Sequence, residues 1–202
     1  MTPRERMLGR IRQSLGESRP EPSPGVSPIP PAPAADCKKQ FAESLKALNG
    51  DVRFASGFEQ ARALAEELVA SRPFIASSAP AVARCGFSGS FSRDSAASAQ
   101  VGITSADFAL ADTGSLVFLS ESAESRLISL LPPDHIAIVE AEKILGGIEE
   151  LFARVPLPAS QSSSMVIVTG PSRTGDIEMR LVRGVHGPGN VTVIVIEDVT
   201  DR

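Results

Sequence analysis

MVIVTGPSRTGDIEMRLVRGVHGPGNVTVIVIED, Met165 to Asp198, is the stretch whose reading decides the fold. Two apolar runs, Met165–Val168 and Val191–Ile196, have the length and β-branched content of buried strands. Between them lie a polar, glycine-bearing loop from Gly170 to Glu178 and the turn Gly184-Val185-His186-Gly187-Pro188-Gly189. Ile177, Leu181 and Val182 recur at helical spacing and predict a short amphipathic helix between loop and turn. Strand, helix, strand is the unit of an α/β sheet, in which ligands bind at the carboxyl ends of the strands. The loop after the first strand is therefore the first candidate for a site.

Upstream, the same pattern continues. His135–Val139 reads as a strand, and Ala141–Arg154 reads as a helix in spite of Gly146-Gly147. Phe108–Ala111 and Leu116–Leu119 are apolar runs separated by Asp112-Thr113-Gly114-Ser115, the composition of a hairpin or tight corner. Phe74–Ser77 predicts a short strand. Phe41, Leu45 and Leu48 mark a helix that ends at Asn49-Gly50, and Phe58, Ala61, Leu64, Ala65, Leu68 and Val69 mark a second. Residues 84–98 and the polar stretch around Arg126 lack periodicity and read as loops. The fold class is α/β, a mostly parallel sheet flanked by helices, with one antiparallel hairpin.

This domain is expected to span residues 36–202. Residues 19–35 contain seven prolines, which makes them a stiff extended linker. Residues 1–18 form an N-terminal helix: Thr2 caps it, Pro3 fits its first position, Glu5 completes a capping box, and Gly16 stops it. Met7, Leu8, Ile11 and Leu15 give this helix an apolar stripe too small to fold alone. It docks on its own domain, on a partner, or on a second copy.

Composition removes several classes of function. Among 202 residues, 42% are hydrophobic and 22% charged, an ordinary globular balance. A net charge of −4, with neither Trp nor Tyr, lacks the basic footprint and the best stacking side chains for nucleic acid. The N-terminus lacks the apolar core of a secretory signal and no run reaches the length of a membrane span, so the cytosol is the expected compartment. Cys37 and Cys85 are the only cysteines, and the two histidines, His135 and His186, are far apart in the chain. This chain alone therefore lacks the ligands for an iron–sulfur cluster or a structural zinc, and both thiols are expected to be reduced.

Three groups of residues carry the candidate chemistry. In the first, Ser172 or Thr174 caps the predicted helix. Free amides at its start, with Gly170 in the turn and Arg173 beside it, would favour a carboxylate or phosphate, while Asp176 and Glu178 complement the helix dipole. In the second, the glycines around His186, Gly187 included, bring the imidazole close to a ligand as acid, base or donor. The third is the Asp112-Thr113-Gly114 corner, with Arg126 downstream as a possible anion contact. Capping and turn-making explain the same residues, and the sequence leaves both readings open. His135 precedes its strand, which in a parallel sheet puts it at the end opposite the ligands, in a structural role. Neither a Walker loop nor GxGxxG, GxSxG or HExxH is present.

ITSADFALADTGSLVFL, then Arg126 followed by Ser129-Leu130-Leu131-Pro132-Pro133-Asp134-His135-Ile136, then TGPSRTGDIEMRLVRGVHGP, together resemble the lactate utilization protein C family, the LUD domain, over roughly residues 100–198. The family's ADTGT-like motif falls on Ala111–Ser115, with Ser115 last, and its GPS-R-T-A-DIE-like motif on Gly170–Glu178, with Gly175 in place of Ala. The resemblance implies a fold similar to the NagB/RpiA/CoA-transferase-like group. It also implies a part in oxidising L-lactate to pyruvate beside two iron–sulfur partner proteins, with this chain the cluster-free member and no cofactor of its own. One pocket would then hold Asp112 and His186 as catalytic groups. Thr113, Gly114, Arg126, Gly170, Ser172, Arg173, Thr174, Asp176, Glu178 and Gly187 would bind a small anionic ligand there. The same fold group also contains stand-alone enzymes on phosphorylated sugars, CoA esters and folates, and a ligand-sensing scaffold or homo-oligomer is a further alternative.

Overall fold

A computed structural model describes residues 2–15, 34–89, 92–120, 123–156, 162, 164–174 and 182–199. Five parallel strands form its central sheet: β1 (Asp51–Ala55), β2 (Phe74–Ala76), β3 (Val101–Ser105), β6 (Asp134–Glu140) and β11 (Asn190–Ile196), in the order β1-β11-β6-β3-β2. β6 and β11 are apolar at nearly every position because both of their faces are covered. Ala137, Val139, Val191, Val193 and Val195 pack to one side, on Phe41 and Leu45 of helix α2 (Ala34–Ala47). Ile136, Ile138, Ile194 and Ile196 point the other way, onto α3 (Phe58–Val69) and α4 (Pro80–Arg84).

A second sheet shares the α2 side of the molecule. It runs β7-β4-β5-β8, from β4 (Phe108–Leu110), β5 (Ser115–Ser120), β7 (Ile144–Leu145) and β8 (Ser164–Thr169). Leu116 and Phe118 of β5 face the central sheet, while Leu110, Val117 and Leu145 face Leu151 of α7 (Ile148–Arg154). The architecture is α/β with a mostly parallel central sheet flanked by helices, and the hairpin expected at Asp112–Ser115 joins β4 to β5 as an antiparallel pair. Gly114 makes the close approach that this corner requires. Its φ is +66°, and a Cβ there would lie 2.5 Å from the Leu45 backbone nitrogen.

Several local expectations are corrected. β1 and β3 escape a periodicity search because one is a short edge strand with Arg53 and Phe54 exposed and the other contains Gly102. The predicted helix Ala141–Arg154 is a helical turn at Ala141–Lys143, strand β7, and α7, broken at Gly146-Gly147. Residues 84–98 include the end of α4 and a six-residue helix α5 (Arg93–Ser98) capped by Ser92, and Arg126 lies on α6 (Ala123–Leu130) rather than in a loop. The helix expected around Ile177–Val182 fails at its described end. Val182 belongs to β10 (Val182–Arg183), which pairs with β9 (Arg173–Thr174) as a small antiparallel hairpin. Ile177, Leu181, Asp176 and Glu178 lie outside the described residues.

α2 begins at Ala34, two residues before the expected boundary. α1 (Pro3–Leu15) has the expected capping box: Glu5 N–H donates to Thr2 Oγ1 at 3.2 Å and Thr2 nitrogen to Glu5 Oε2 at 2.7 Å. Met7 and Ile11 of the apolar stripe are 59% and 48% exposed, so these two side chains are not buried against the rest of the described chain. Cys37 and Cys85 are buried in packing clusters on opposite faces of the central sheet. Burial pushes the Cys85 thiol up to about 11, against a smaller opposing effect of Arg84. No described helix is long and apolar enough to cross a membrane.

Candidate functional site

A cleft of about 520 Å³ opens where the two sheets diverge, within the size range of small-molecule sites. Its wall on one side is β8 and the loop after it, Val166 to Arg173. Across from these stand Leu48 at the end of α2, Ser129 and Leu130 of α6, His135 of β6, Val191 of β11, and the turn His186-Gly187-Pro188. The cleft therefore lies at the amino ends of β6 and β11, the reverse of the expected placement. The rule of carboxyl ends applies within one parallel sheet, and β8 belongs to the other sheet, antiparallel to β5.

Hydrogen bonds join the Gly170–Arg173 loop, the glycine-rich turn and the Leu130–Asp134 segment around this cleft. Ser172 N–H donates to Pro188 O at 2.8 Å, Gly184 N–H to Ser172 O at 3.1 Å, and His186 N–H to Ser172 Oγ at 3.3 Å. Gly189 N–H donates to Pro133 O at 2.8 Å, which ties the glycine-rich turn to the Leu130–Asp134 segment. Asn190 Nδ2 donates to Asp134 Oδ1 at 2.7 Å, and Arg72 pairs with the other carboxylate oxygen, so the starts of β6 and β11 are held together. The amide of Ser172 is thus already occupied, and residues 173–174 are strand. The helix-start anion site expected there is not formed by these residues. Arg173 donates from Nη2 to Leu48 O, clasping the loop to the end of α2.

Of the residues nominated from sequence, Gly170, Ser172, Arg173, His186 and Gly187 line the cleft together. Thr174 lies one residue beyond, paired with Val182. Asp112, Thr113 and Gly114 sit beside the cleft without lining it. They reach it through a chain of side-chain hydrogen bonds: Thr113 to Asp112 Oδ1 at 3.2 Å, Ser115 to Thr113 at 2.8 Å, and Ser115 to Thr169 at 2.8 Å. Asp112 is exposed and packs against Gly147. Arg126 is half-buried one turn before Ser129 and Leu130 and does not line the cleft. Asp107 accepts the Leu119 N–H at 2.6 Å.

His135 lies at the amino end of β6, as the sequence implied, but it shares that end with the cleft, so its expected purely structural role is not secured by its position. It is buried, lies 5.9 Å from the Phe118 ring centroid, and shares a 2.7 Å hydrogen bond between Nε2 and Thr104 Oγ1. Its Nδ1 is buried with no hydrogen-bond partner among the described residues. Burial lowers its pKa from 6.5 to about 4, so the imidazole is neutral near pH 7. Gly102 opposite it leaves room for α6: a Cβ there would lie 2.0 Å from Ile128 O. The signal was present in sequence, because Ser129 and His135 bracket the Leu-Leu-Pro-Pro segment, yet nothing local said that this segment meets the glycine-rich turn.

The fold and cleft define a helix-flanked α/β protein with a two-sheet ligand-sized groove. The LUD domain family model matches residues 85–196, more than half of the chain, and the chain belongs to that family. Proteins named lactate utilization protein C are similar to it: 38% identical over 109 residues in Halalkalibacterium halodurans and 39% over 103 residues in Oceanobacillus iheyensis. These matches cover 52% and 49% of this chain but only 47% and 44% of those relatives. A crystal structure of a DUF162 family protein from Deinococcus radiodurans shares the fold, with a TM-score of 0.63 at 21% identity, over 82% of this chain and 99% of that one.

Proposed function

We propose that this chain serves lactate utilization as the cluster-free subunit of an assembly that oxidises L-lactate to pyruvate, with iron–sulfur clusters on two partner proteins, and that its cleft binds a small anionic ligand. The pathway rests on the relatives' name. The anionic ligand rests on one observation beside the cleft: Arg173, which lines it, stands directly opposite Arg183 in the β9–β10 hairpin. Like charges at facing positions destabilise a strand pair, and a bound carboxylate between two guanidinium groups reverses that cost. No Asp or Glu is among the described residues lining the cleft. The exposed Met7 and Ile11 of α1, on its proline-rich tether, suit a docking element for a partner.

Deleting the gene from its host and scoring growth on L-lactate tests the reading. Growth is expected to be lost, restored by the wild-type chain, and not restored by the Arg173→Gln/Arg183→Gln double variant. Undiminished growth of the deletion strain on L-lactate would sink the proposal. For the docking element, removal of residues 1–35 is expected to abolish co-purification with the partners, and unchanged recovery would refute that role.

A further inference from the structure

His135, in the wall of the cleft, carries one polar atom that neither the folding nor the hydrogen-bonding of the described chain accounts for. Buried ring nitrogens in native proteins are almost always paired, so the Nδ1 of His135 asks for an explanation. Its ring is anchored from the other side by Thr104, packs near Phe118, and lies in the wall of a groove whose apolar lining includes Leu48, Val166, Val168 and Val191, with Ser129, Thr169, Ser172 and Arg173 among its polar residues. Apolar residues at positions 104 and 135 together would serve that packing with no unpaired atom. The hydrogen bond to Thr104 allows either tautomer: Nδ1 is a lone-pair acceptor if Thr104 accepts, and an N–H donor if Thr104 donates. A hydroxyl satisfies both, because it donates and accepts. A carboxylate satisfies only one.

We propose that His135 is a ligand-contacting residue and that its Nδ1 recognises the hydroxyl of a small hydroxy acid whose carboxylate lies toward the arginine-bearing rim. The carboxylate half rests on the function proposed above, and the hydroxyl half rests on His135 alone. A neutral imidazole is the form suited to this contact, and burial keeps it neutral. Such a site discriminates against the analogue that lacks the hydroxyl, because that analogue leaves the buried nitrogen unpaired.

The test is equilibrium binding of L-lactate and of propionate to the full purified chain, with ¹⁵N detection of the two imidazoles. L-lactate is expected to bind at least about tenfold more tightly than propionate. The His135 Nδ1 resonance is expected to move on addition of L-lactate and to stay in place with propionate, with His186 as the second histidine for comparison. The His135→Phe/Thr104→Val variant, which removes both polar partners together, is expected to bind the two acids equally. Equal affinities in the wild type, a preference that survives in the variant, a stationary His135 resonance, or no binding of either acid overturns the inference. The wild-type comparison and the resonance do not depend on the variant folding. Growth on L-lactate judges the pathway separately, so loss of the hydroxyl contact and loss of the lactate role remain distinguishable.

Discussion

β11 and β8 have nearly interchangeable sequences, NVTVIVI and SMVIVT, and opposite surroundings. β11 lies between β1 and β6 in the central sheet, and Val193, Ile194, Val195 and Ile196 are fully buried. β8 is the edge of the second sheet, with Ile167 37% exposed, and its residues 166–169 form a wall of the cleft. An apolar β-branched run therefore announces a strand without announcing its layer. Both runs read as buried strands; β8 is the one whose own residues wall the cleft, and His135, expected at the end away from ligands, lies across from it.

The largest expected effect lies in the core strand. Ile194→Ala should cost about 2–5 kcal/mol in urea denaturation, whereas Ile167→Ala should cost less than about 1 kcal/mol. Comparable losses at the two positions would break the contrast between β11 and β8. The buried histidine at the start of β6 sharpens it further. Because His135 has a folded pKa of about 4 against 6.5, the unfolded chain takes up a proton before the native chain does. Stability is full above about pH 6.5, falls as pH drops toward 4, and levels off below, by roughly 3 kcal/mol in all. Urea midpoints at about pH 7 and about pH 4.5 should reveal that loss in wild type and in His186→Ala, and most of it should vanish in the His135→Phe/Thr104→Val variant.

Gly102→Ala comes next. The added methyl meets the Ile128 carbonyl, α6 must lift from β3, and a loss of about 1–3 kcal/mol is expected. A neutral result would show that α6 is looser than its packing implies. The smallest effect belongs to α1, where Thr2→Ala removes the capping box. About 1 kcal/mol of local helix stability should disappear from amide exchange of residues 3–15, with the unfolding midpoint of the α/β domain unmoved. A shifted midpoint would mean that α1 is packed on the domain after all.

Legibility followed the range of the forces involved. The helices α1, α2 and α3, the β4–β5 hairpin and the central strands β6 and β11 were readable because capping, periodicity and turn composition act within a few residues. The same local signals misjudged Val182, whose helical spacing yields to pairing with Thr174, and Ala141–Arg154, whose helix is interrupted by the pairing of β7 with β4. Of the candidate site, Gly170, Ser172, Arg173, His186 and Gly187 were legible as polar and glycine-rich loop residues. Leu48, Ser129 and His135 were not, because each reaches the cleft from a part of the chain remote from that loop.

The sequence by itself determined the α/β class, the capped N-terminal helix on its proline-rich tether, and three ordered motifs that carry the family. Those follow from residue type and short spacing, where hydrophobic period and backbone preference act alone. Only the tertiary structure decided that β8 leaves the central sheet for the second one, which moves the cleft to the amino ends of β6 and β11. It also decided that the two histidines share that cleft, one buried and one at the surface. Strand order and layer depend on which apolar faces find cover, and that is settled by contacts between residues far apart in the chain.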